Sequence, residues 1–224
     1  MPETLFSHAI TLQIINLLAA GMLVSVVVLL TQKGLSACIH LYTIQSALLA
    51  LVSLAIAIGF QEFHLLSAVL FTVIVKVVFV PAMLFWIVKK IHVQREVQFY
   101  VNTSASLLLS GLLIALAFYI IEGSSLFQAT LSKGAVGISL SLLFLGLFMM
   151  ISRVKAITQL LGFLTMENGL FLLANVATFG VPLFIEIGIF FDVLVMLLIV
   201  GIFVFKINAT FHHIDVTSLR KLKE

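Results

Sequence analysis

Charged residues are scarce in this sequence, and their scarcity excludes a soluble fold. Asp, Glu, Lys and Arg make up 9% of the 224 residues, whereas hydrophobic residues make up 62%, and the mean hydropathy is +1.29. Soluble domains use about 25% charged residues. The apolar runs are continuous, whereas a membrane β-barrel has alternating segments of about ten residues. The sequence therefore predicts a bundle of membrane-spanning helices.

Cysteine and catalytic sequence motifs are equally scarce. Cys38 is the only cysteine in the sequence, so this chain cannot form an internal disulfide or supply the ligands of an iron–sulfur cluster or a Cys-rich zinc site. The six histidines fall at the ends of apolar runs or between them, whereas a bis-histidine haem needs ligands within facing spans. No P-loop, Gly-x-Ser-x-Gly or His-Glu-x-x-His pattern occurs. We therefore expect no cofactor in this chain and no catalysis by it alone.

What the sequence does contain is a series of long apolar runs. Crossing a hydrocarbon layer of about 30 Å takes about 20 helical residues. Runs of this kind cover residues 9–30, 36–58, 65–88, 104–121, 134–151, 157–178 and 183–205. They predict an all-α bundle of about seven spans. All 224 residues then form one membrane domain, with a four-helix front part over 1–122 and a three-helix back part over 123–224.

The basic residues indicate how these spans are oriented. If the seven predicted spans alternate in direction, ten of the twelve Lys and Arg residues fall on one side of the bilayer. The positive-inside rule then places the C-terminus in the cytoplasm and the N-terminus outside. The net charge of +3 reflects this asymmetry. Because no basic stripe lies outside the spans, we expect no nucleic-acid partner.

Three ionisable residues lie near the middle of the apolar runs. A charge near the bilayer centre costs several kcal/mol, so such residues face a protein interior or a water-filled path. Lys76, Glu167 and Asp192 lie about 13–18 Å from the outer ends of their predicted spans by helical rise, and therefore at similar depth. A row of titratable groups on three spans is what lateral proton relay requires. The pattern predicts a relay at mid-membrane.

Each candidate also has a structural interpretation, and both interpretations remain open. Lys76 and Glu167 fit a buried salt bridge that fixes helix packing. Glu186 fits a helix N-terminus, where a carboxylate is favourable, and Asn168 fits a hydrogen bond between helices. His40 fits either a point of proton uptake or an ordinary interfacial histidine. The candidate relay residues are Glu167, Lys76, Asp192, Glu186, Asn168 and His40.

Short motifs in this sequence resemble two related groups of membrane subunits. From residue 134 onward the chain resembles the K subunit of respiratory complex I and the C subunit of Mrp-type antiporters, with Arg153-Val-Lys155, Leu160-Leu-Gly162 and Ile214-Asp-Val. Over its full length it resembles the E subunit of hydrogenase-4-type membrane arms, related to formate hydrogenlyase. The motifs of that resemblance are Val75-Lys-Val-Val-Phe-Val-Pro81, Met166-Glu-Asn-Gly169, Glu186-Ile-Gly188 and Asp192.

The resemblance implies a function and partners. It implies a non-catalytic subunit of an oxidoreductase complex in a prokaryotic plasma membrane, packed between an antiporter-like subunit and the membrane anchor of a redox module. Iron–sulfur or nickel–iron centres would lie in those partners. The subunit would relay protons or Na⁺ laterally, with an Mrp-type antiporter subunit and a structural scaffold as alternatives. The complex I K subunit carries its glutamate about one turn earlier, at Leu164 here, which implies that Glu167 is a displaced equivalent on about the same face.

Overall fold

A computed structural model describes residues 2–61, 65–90, 102–124 and 130–178. Within these ranges the chain is helical and contains no β-strand. The helices are α1 (Pro2–Thr31), α2 (Leu35–Gly59), α3 (Leu65–Thr72), a π-helix (Val73–Phe79), α4 (Val80–Lys90), α5 (Thr103–Gly123), α6 (Lys133–Ser152) and α7 (Ala156–Thr178). The predicted run 183–205 lies outside the described residues.

Six of the predicted spans are present as helices long and apolar enough to cross a membrane. The third span is continuous and consists of α3, the π-helix and α4. The all-helical membrane bundle is therefore confirmed, while a seventh span, the orientation and the division at residue 122 stay predictions. Helix α1 begins at Pro2 rather than at residue 9, because a helix can continue past its apolar run and proline is compatible with a first helical turn.

The π-helix in the third span directly precedes Pro81. Proline lacks an N–H group, and its ring collides with the carbonyl group four residues earlier in an α-helix. The backbone N–H of Val80 bonds to the carbonyl oxygen of Val75, five residues back. This wider turn shifts the register of the helix, and Lys76 lies within it. π-Helical segments are rare and frequently occur at functional sites.

Helices α6 and α7 form a closely packed hairpin in which glycines face each other's backbones. A Cβ atom added to Gly162 would lie 2.9 Å from the carbonyl oxygen of Gly146, and one added to Gly169 would lie 3.0 Å from the backbone nitrogen of Leu143. Such small residues let membrane helices approach closely. Helix α2 packs on α1, on α7 and on the third span. Helix α7 is thereby held between α6 and α2.

The two ends of the bundle are recognisable from contacts between helices. At the end where α2 finishes, the Gly59 end, Gly59 packs against Thr11 of α1. Near the same end Leu131 donates a backbone hydrogen bond to the carbonyl oxygen of Val176, at 3.1 Å. At the opposite end, the Arg153 end, α1 finishes, α2 begins and Arg153 joins α6 to α7. These two names are used below for the two ends of the bundle.

Arg153 is buried at its end of the bundle. Its Nη2 atom donates to the carbonyl oxygens of Leu29 and Leu30, at 3.2 and 2.8 Å. Those carbonyls belong to the last turn of α1, where no intrahelical donor remains and a cation is favourable. Burial lowers the pKa of Arg153, but an arginine pKa is so high that the group keeps its charge. Arg153 therefore ties the α6–α7 connection to the end of α1.

Candidate functional site

A buried ion pair connects the third span to α7. The Nζ atom of Lys76 lies 3.1 Å from Oε1 of Glu167, and the two side chains are 0% and 2% exposed. The pairing that the sequence offered as one of two interpretations is confirmed. Because each charge neutralises the other, the bundle can hold both groups away from water. The pair joins two spans that are distant in sequence.

Two further groups on α7 surround the lysine ammonium. The Nζ atom lies 4.4 Å from the centroid of the Phe171 ring, within the range of a cation–π interaction. It also donates a long hydrogen bond, 3.5 Å, to Oδ1 of Asn168. Phe171 follows Glu167 by four residues, so both side chains lie on the same face of the helix. The ammonium thus meets a carboxylate, an amide oxygen and an aromatic face.

Asn168 extends this arrangement to α2. Its Nδ2 atom donates to Oε1 of Gln45 at 3.3 Å and to Oγ of Ser46 at 3.1 Å. The five side chains of Lys76, Glu167, Asn168, Gln45 and Ser46, called the polar layer below, are all buried. Polar groups within a membrane need internal partners, because lipid offers none. The layer lies where α2, α7 and the third span meet.

A second polar contact joins α2 and α7 closer to the Gly59 end. The Nδ2 atom of Asn175 donates to Oγ of Ser53 at 2.7 Å, and both residues are 2% exposed. Asn175 follows Asn168 by seven residues and Ser53 follows Ser46 by seven, so each pair repeats on one face of its helix. Sequence reasoning missed Ser46, Ser53 and Phe171. For the two serines, the available signal was their spacing of seven residues, which matches that of Asn168 and Asn175 on α7.

The structure brings together only some of the predicted relay residues. Lys76, Glu167 and Asn168 share the polar layer. His40 lies in α2, five residues before Gln45, and its side chain is exposed. The centroid of its ring lies 4.9 Å from that of the Phe85 ring. Asp192 and Glu186 lie outside the described residues. Within residues 2–61, 65–90, 102–124 and 130–178, no group of three or more His, Cys, Asp and Glu side chains is placed to hold a metal ion.

The fold and site define an integral membrane protein with a buried ion pair among its spans. The chain is 28% identical over 212 residues to an uncharacterised protein of Mycobacterium tuberculosis, covering 94% of this chain and 96% of that protein. It is 26% identical over 210 residues to hydrogenase-4 component E of Escherichia coli, covering 94% of this chain and 97% of that protein.

The component E of Shigella flexneri matches to the same extent as that of Escherichia coli. No family model matches the chain, and no solved structure does. The chain is therefore a distant homologue of hydrogenase-4 component E over almost its whole length.

Proposed function

We propose that this chain is a membrane subunit of a hydrogenase-4-like or complex I-like respiratory complex, and that it passes protons laterally between its spans. The distant homology with hydrogenase-4 component E, which covers 94% of the chain, supports the first part. The Lys76–Glu167 pair supports the second. Asp192 and Glu186 extend the proposed relay beyond the polar layer, and Na⁺ is the alternative ion. The likeness of residues 134–224 to the complex I K subunit is part of the same proposal.

The observation that carries the proposal is the 3.1 Å contact between two buried, oppositely charged groups on different spans. Transfer of one proton from Nζ of Lys76 to Oε1 of Glu167 converts the ion pair into a neutral amine and a neutral carboxylic acid. Burial penalises charged groups far more than neutral ones, so these two states lie closer in free energy here than in water. Each neutral group can then exchange a proton with a further neighbour. Charge thereby moves parallel to the membrane.

The first test replaces the carboxylate while keeping its shape. Glu167→Gln removes the group that accepts the proton and leaves a side chain that still contacts Lys76. We expect the rate of proton translocation in membrane vesicles to fall about 10²-fold or more, since one positioned proton-transfer group contributes roughly 10²–10⁴-fold to a rate. The complex is expected to assemble, because the glutamine amide oxygen can still accept from Lys76; loss of the assembled complex, as judged by co-purification of its subunits, would instead favour a structural role for the ion pair. Normal translocation in an assembled Glu167→Gln complex would contradict the proposal.

A scaffold role is the second candidate, because a direct salt bridge also fixes helix packing. Breaking one half of a buried pair costs about 3–5 kcal/mol, whereas replacing both charges with apolar groups is often neutral. The double variant Lys76→Met with Glu167→Met separates the roles, and Lys76→Met alone is its control. A relay predicts an assembled double variant that does not translocate protons. A scaffold predicts a double variant that both assembles and translocates.

A further inference from the structure

We infer that water and protons reach the polar layer from the Gly59 end of the bundle, along the interface of α2 and α7. The route passes Asn175 and Ser53. This inference rests on the proposed relay and assigns the side of the membrane with which the Lys76–Glu167 pair exchanges protons. It depends on how polar side chains are distributed on either side of the layer.

Polar contacts between α2 and α7 continue from the layer toward the Gly59 end. The Asn168–Ser46 contact is followed, seven residues along each helix or about 10 Å by helical rise, by the Asn175–Ser53 contact. Asn175 is three residues before Thr178, where α7 ends. Amide and hydroxyl groups at these two levels can bind water that bridges them. Polar contacts between α2 and α7 therefore occur at two levels, the polar layer and the Asn175–Ser53 contact, and the second lies near the last turn of α7.

The layer itself holds an amide donor that needs a further partner. Gln45 is 1% exposed, and its Nε2 atom has no hydrogen-bond partner among the residues that the structure describes. A buried unsatisfied donor costs about 1–3 kcal/mol, and ordered water commonly satisfies such groups. A water bound to Gln45 enters from one end of the bundle, and the Asn175–Ser53 contact supplies polar groups on the side of the Gly59 end.

Between the polar layer and the Arg153 end, the buried side chains of α7 are mostly apolar. Leu164, Leu161 and Leu160 are buried there. The hydroxyl of Thr165 donates to the carbonyl oxygen of Leu161 at 2.8 Å, within its own helix. Leucine side chains therefore line this half of α7, which extends about 16 Å by helical rise from Glu167 back to the start of the helix.

Helix α2 presents large or apolar side chains to the same region. Ile39 and Cys38 are buried with 0% exposure, and so is Tyr42, which lies about one turn from Gln45. Tyr42 carries a hydroxyl group, and it is one of the largest fully buried side chains of the described bundle. At the end of this half, the guanidinium group of Arg153 is held by the carbonyls of α1. Access from the Arg153 end is therefore blocked by packed side chains.

Cysteine labelling in native membranes tests this inference directly. A Cys38→Ala background removes the only native thiol. Single variants Ser53→Cys and Asn175→Cys are then exposed to a membrane-impermeant methanethiosulfonate reagent, added to one face of sealed vesicles at a time. Only a hydrated cysteine forms the reactive thiolate. We expect both positions to react from the face at the Gly59 end, roughly tenfold or more faster than a cysteine in dry packing.

Control positions identify the two faces of the membrane and test the half of the bundle between the polar layer and the Arg153 end. Glu122→Cys, exposed near the end of α5, marks the Gly59 end, and Val154→Cys, exposed beside Arg153, marks the other. Leu161→Cys and Tyr42→Cys should resist labelling from both faces. Labelling of either from the Val154 face, or protection of both Ser53→Cys and Asn175→Cys in the assembled complex, would overturn the inference. Ser53→Cys is nearly isosteric, so one informative variant is expected to fold.

The labelling result and the transport result are independent. Labelling reports water access whether or not protons are translocated, so it can fail while Glu167→Gln still abolishes translocation. The relay would then stand and only its side of access would be wrong. Conversely, labelling at Ser53→Cys with normal translocation in Glu167→Gln would contradict the proposed function and leave the hydrated interface in place.

Discussion

At the scale of single residues, each buried charged residue in the described part of the chain has a specific partner. Lys76 has Glu167, and Arg153 has two backbone carbonyls at the end of α1. The two arrangements differ in chemical capacity. The Lys76–Glu167 pair joins two titratable groups and can exchange a proton, whereas Arg153 remains protonated and its carbonyl partners do not titrate. The proposed relay therefore uses the first arrangement, whereas the second anchors the end of α1.

Replacement of Arg153 tests that anchoring role. Arg153→Met keeps much of the apolar stem but removes both donors; the carbonyl of Leu29 still accepts the backbone N–H of Gln32, at 3.3 Å, whereas that of Leu30 loses the 2.8 Å bond, and a buried group left unsatisfied costs about 1–3 kcal/mol. We expect a lower midpoint of thermal unfolding for the protein in detergent. Lys133→Met, at an exposed position, is the control and should change stability by less than about 0.5 kcal/mol. Equal midpoints for the two variants would contradict an anchoring role.

At the scale of helices, the α6–α7 hairpin positions the carboxylate. Glu167 lies between Gly162 and Gly169, both of which face backbone atoms of α6. Close backbone approach leaves little freedom for α7 to rotate or slide. The third span supplies the lysine through its π-helix, whose register sets the direction of Lys76. The ion pair therefore depends on two local backbone features rather than on the two charged residues alone.

Adding a methyl group at the hairpin tests this dependence. In Gly162→Ala the new Cβ would lie 2.9 Å from the carbonyl oxygen of Gly146 and 2.9 Å from the backbone nitrogen of Met150. Backbone atoms cannot move aside as side-chain tips do, so we expect the helices to separate, with a loss of about 1–3 kcal/mol. Thermal unfolding in detergent measures the loss.

Gly111→Ala in α5 is the matched control, because a Cβ added there meets nothing within 4 Å. Alanine is the better helix former by roughly 0.5–1 kcal/mol, so this variant should be neutral or slightly more stable. A Gly162→Ala protein as stable as the Gly111→Ala protein would show that the hairpin tolerates wider packing, and the argument for a rigidly placed Glu167 would fail.

At the scale of the whole molecule, the described bundle presents a largely apolar surface, and α5 is exposed along much of its length, including Leu108 and Tyr119 at 79% and 77% exposure. Such a surface suits lipid and neighbouring membrane subunits alike. Purification of the tagged chain in mild detergent, with mass spectrometry and metal analysis of what accompanies it, tests the proposed assembly. We expect an antiporter-like polypeptide together with iron–sulfur or nickel-bearing subunits.

The other outcomes of that purification distinguish the alternatives. Antiporter-like chains without metal would favour an Mrp-type antiporter subunit, which transports ions with no redox partner. A chain that purifies alone, under conditions that keep known membrane complexes intact, would contradict both assemblies. The result does not depend on Glu167, so it tests the partners separately from the relay.

The amino-acid sequence by itself determined the membrane class and the approximate limits of the six described spans, and it predicted one level for Lys76 and Glu167, which the ion pair joins. These properties follow from transfer of apolar residues out of water, which adds up along the chain independently of which helix lies beside which. The same reasoning identified buried charges as exceptional, since their cost depends on depth rather than on neighbours. From the sequence alone, the ion pair between Lys76 and Glu167 was one of two interpretations, beside a proton relay.

Only the tertiary structure decided which side chains meet. The contacts of Lys76 with Phe171, of Asn175 with Ser53 and of Arg153 with α1 depend on the rotation of each helix about its axis and on neighbours distant in sequence. Hydropathy is almost insensitive to that rotation in spans that are apolar on all sides. The π-helix at Lys76 and the close approach at Gly162 are likewise set by packing. The level of a residue along its span could therefore be predicted from the sequence, whereas the direction and the contacts of its side chain required the tertiary structure.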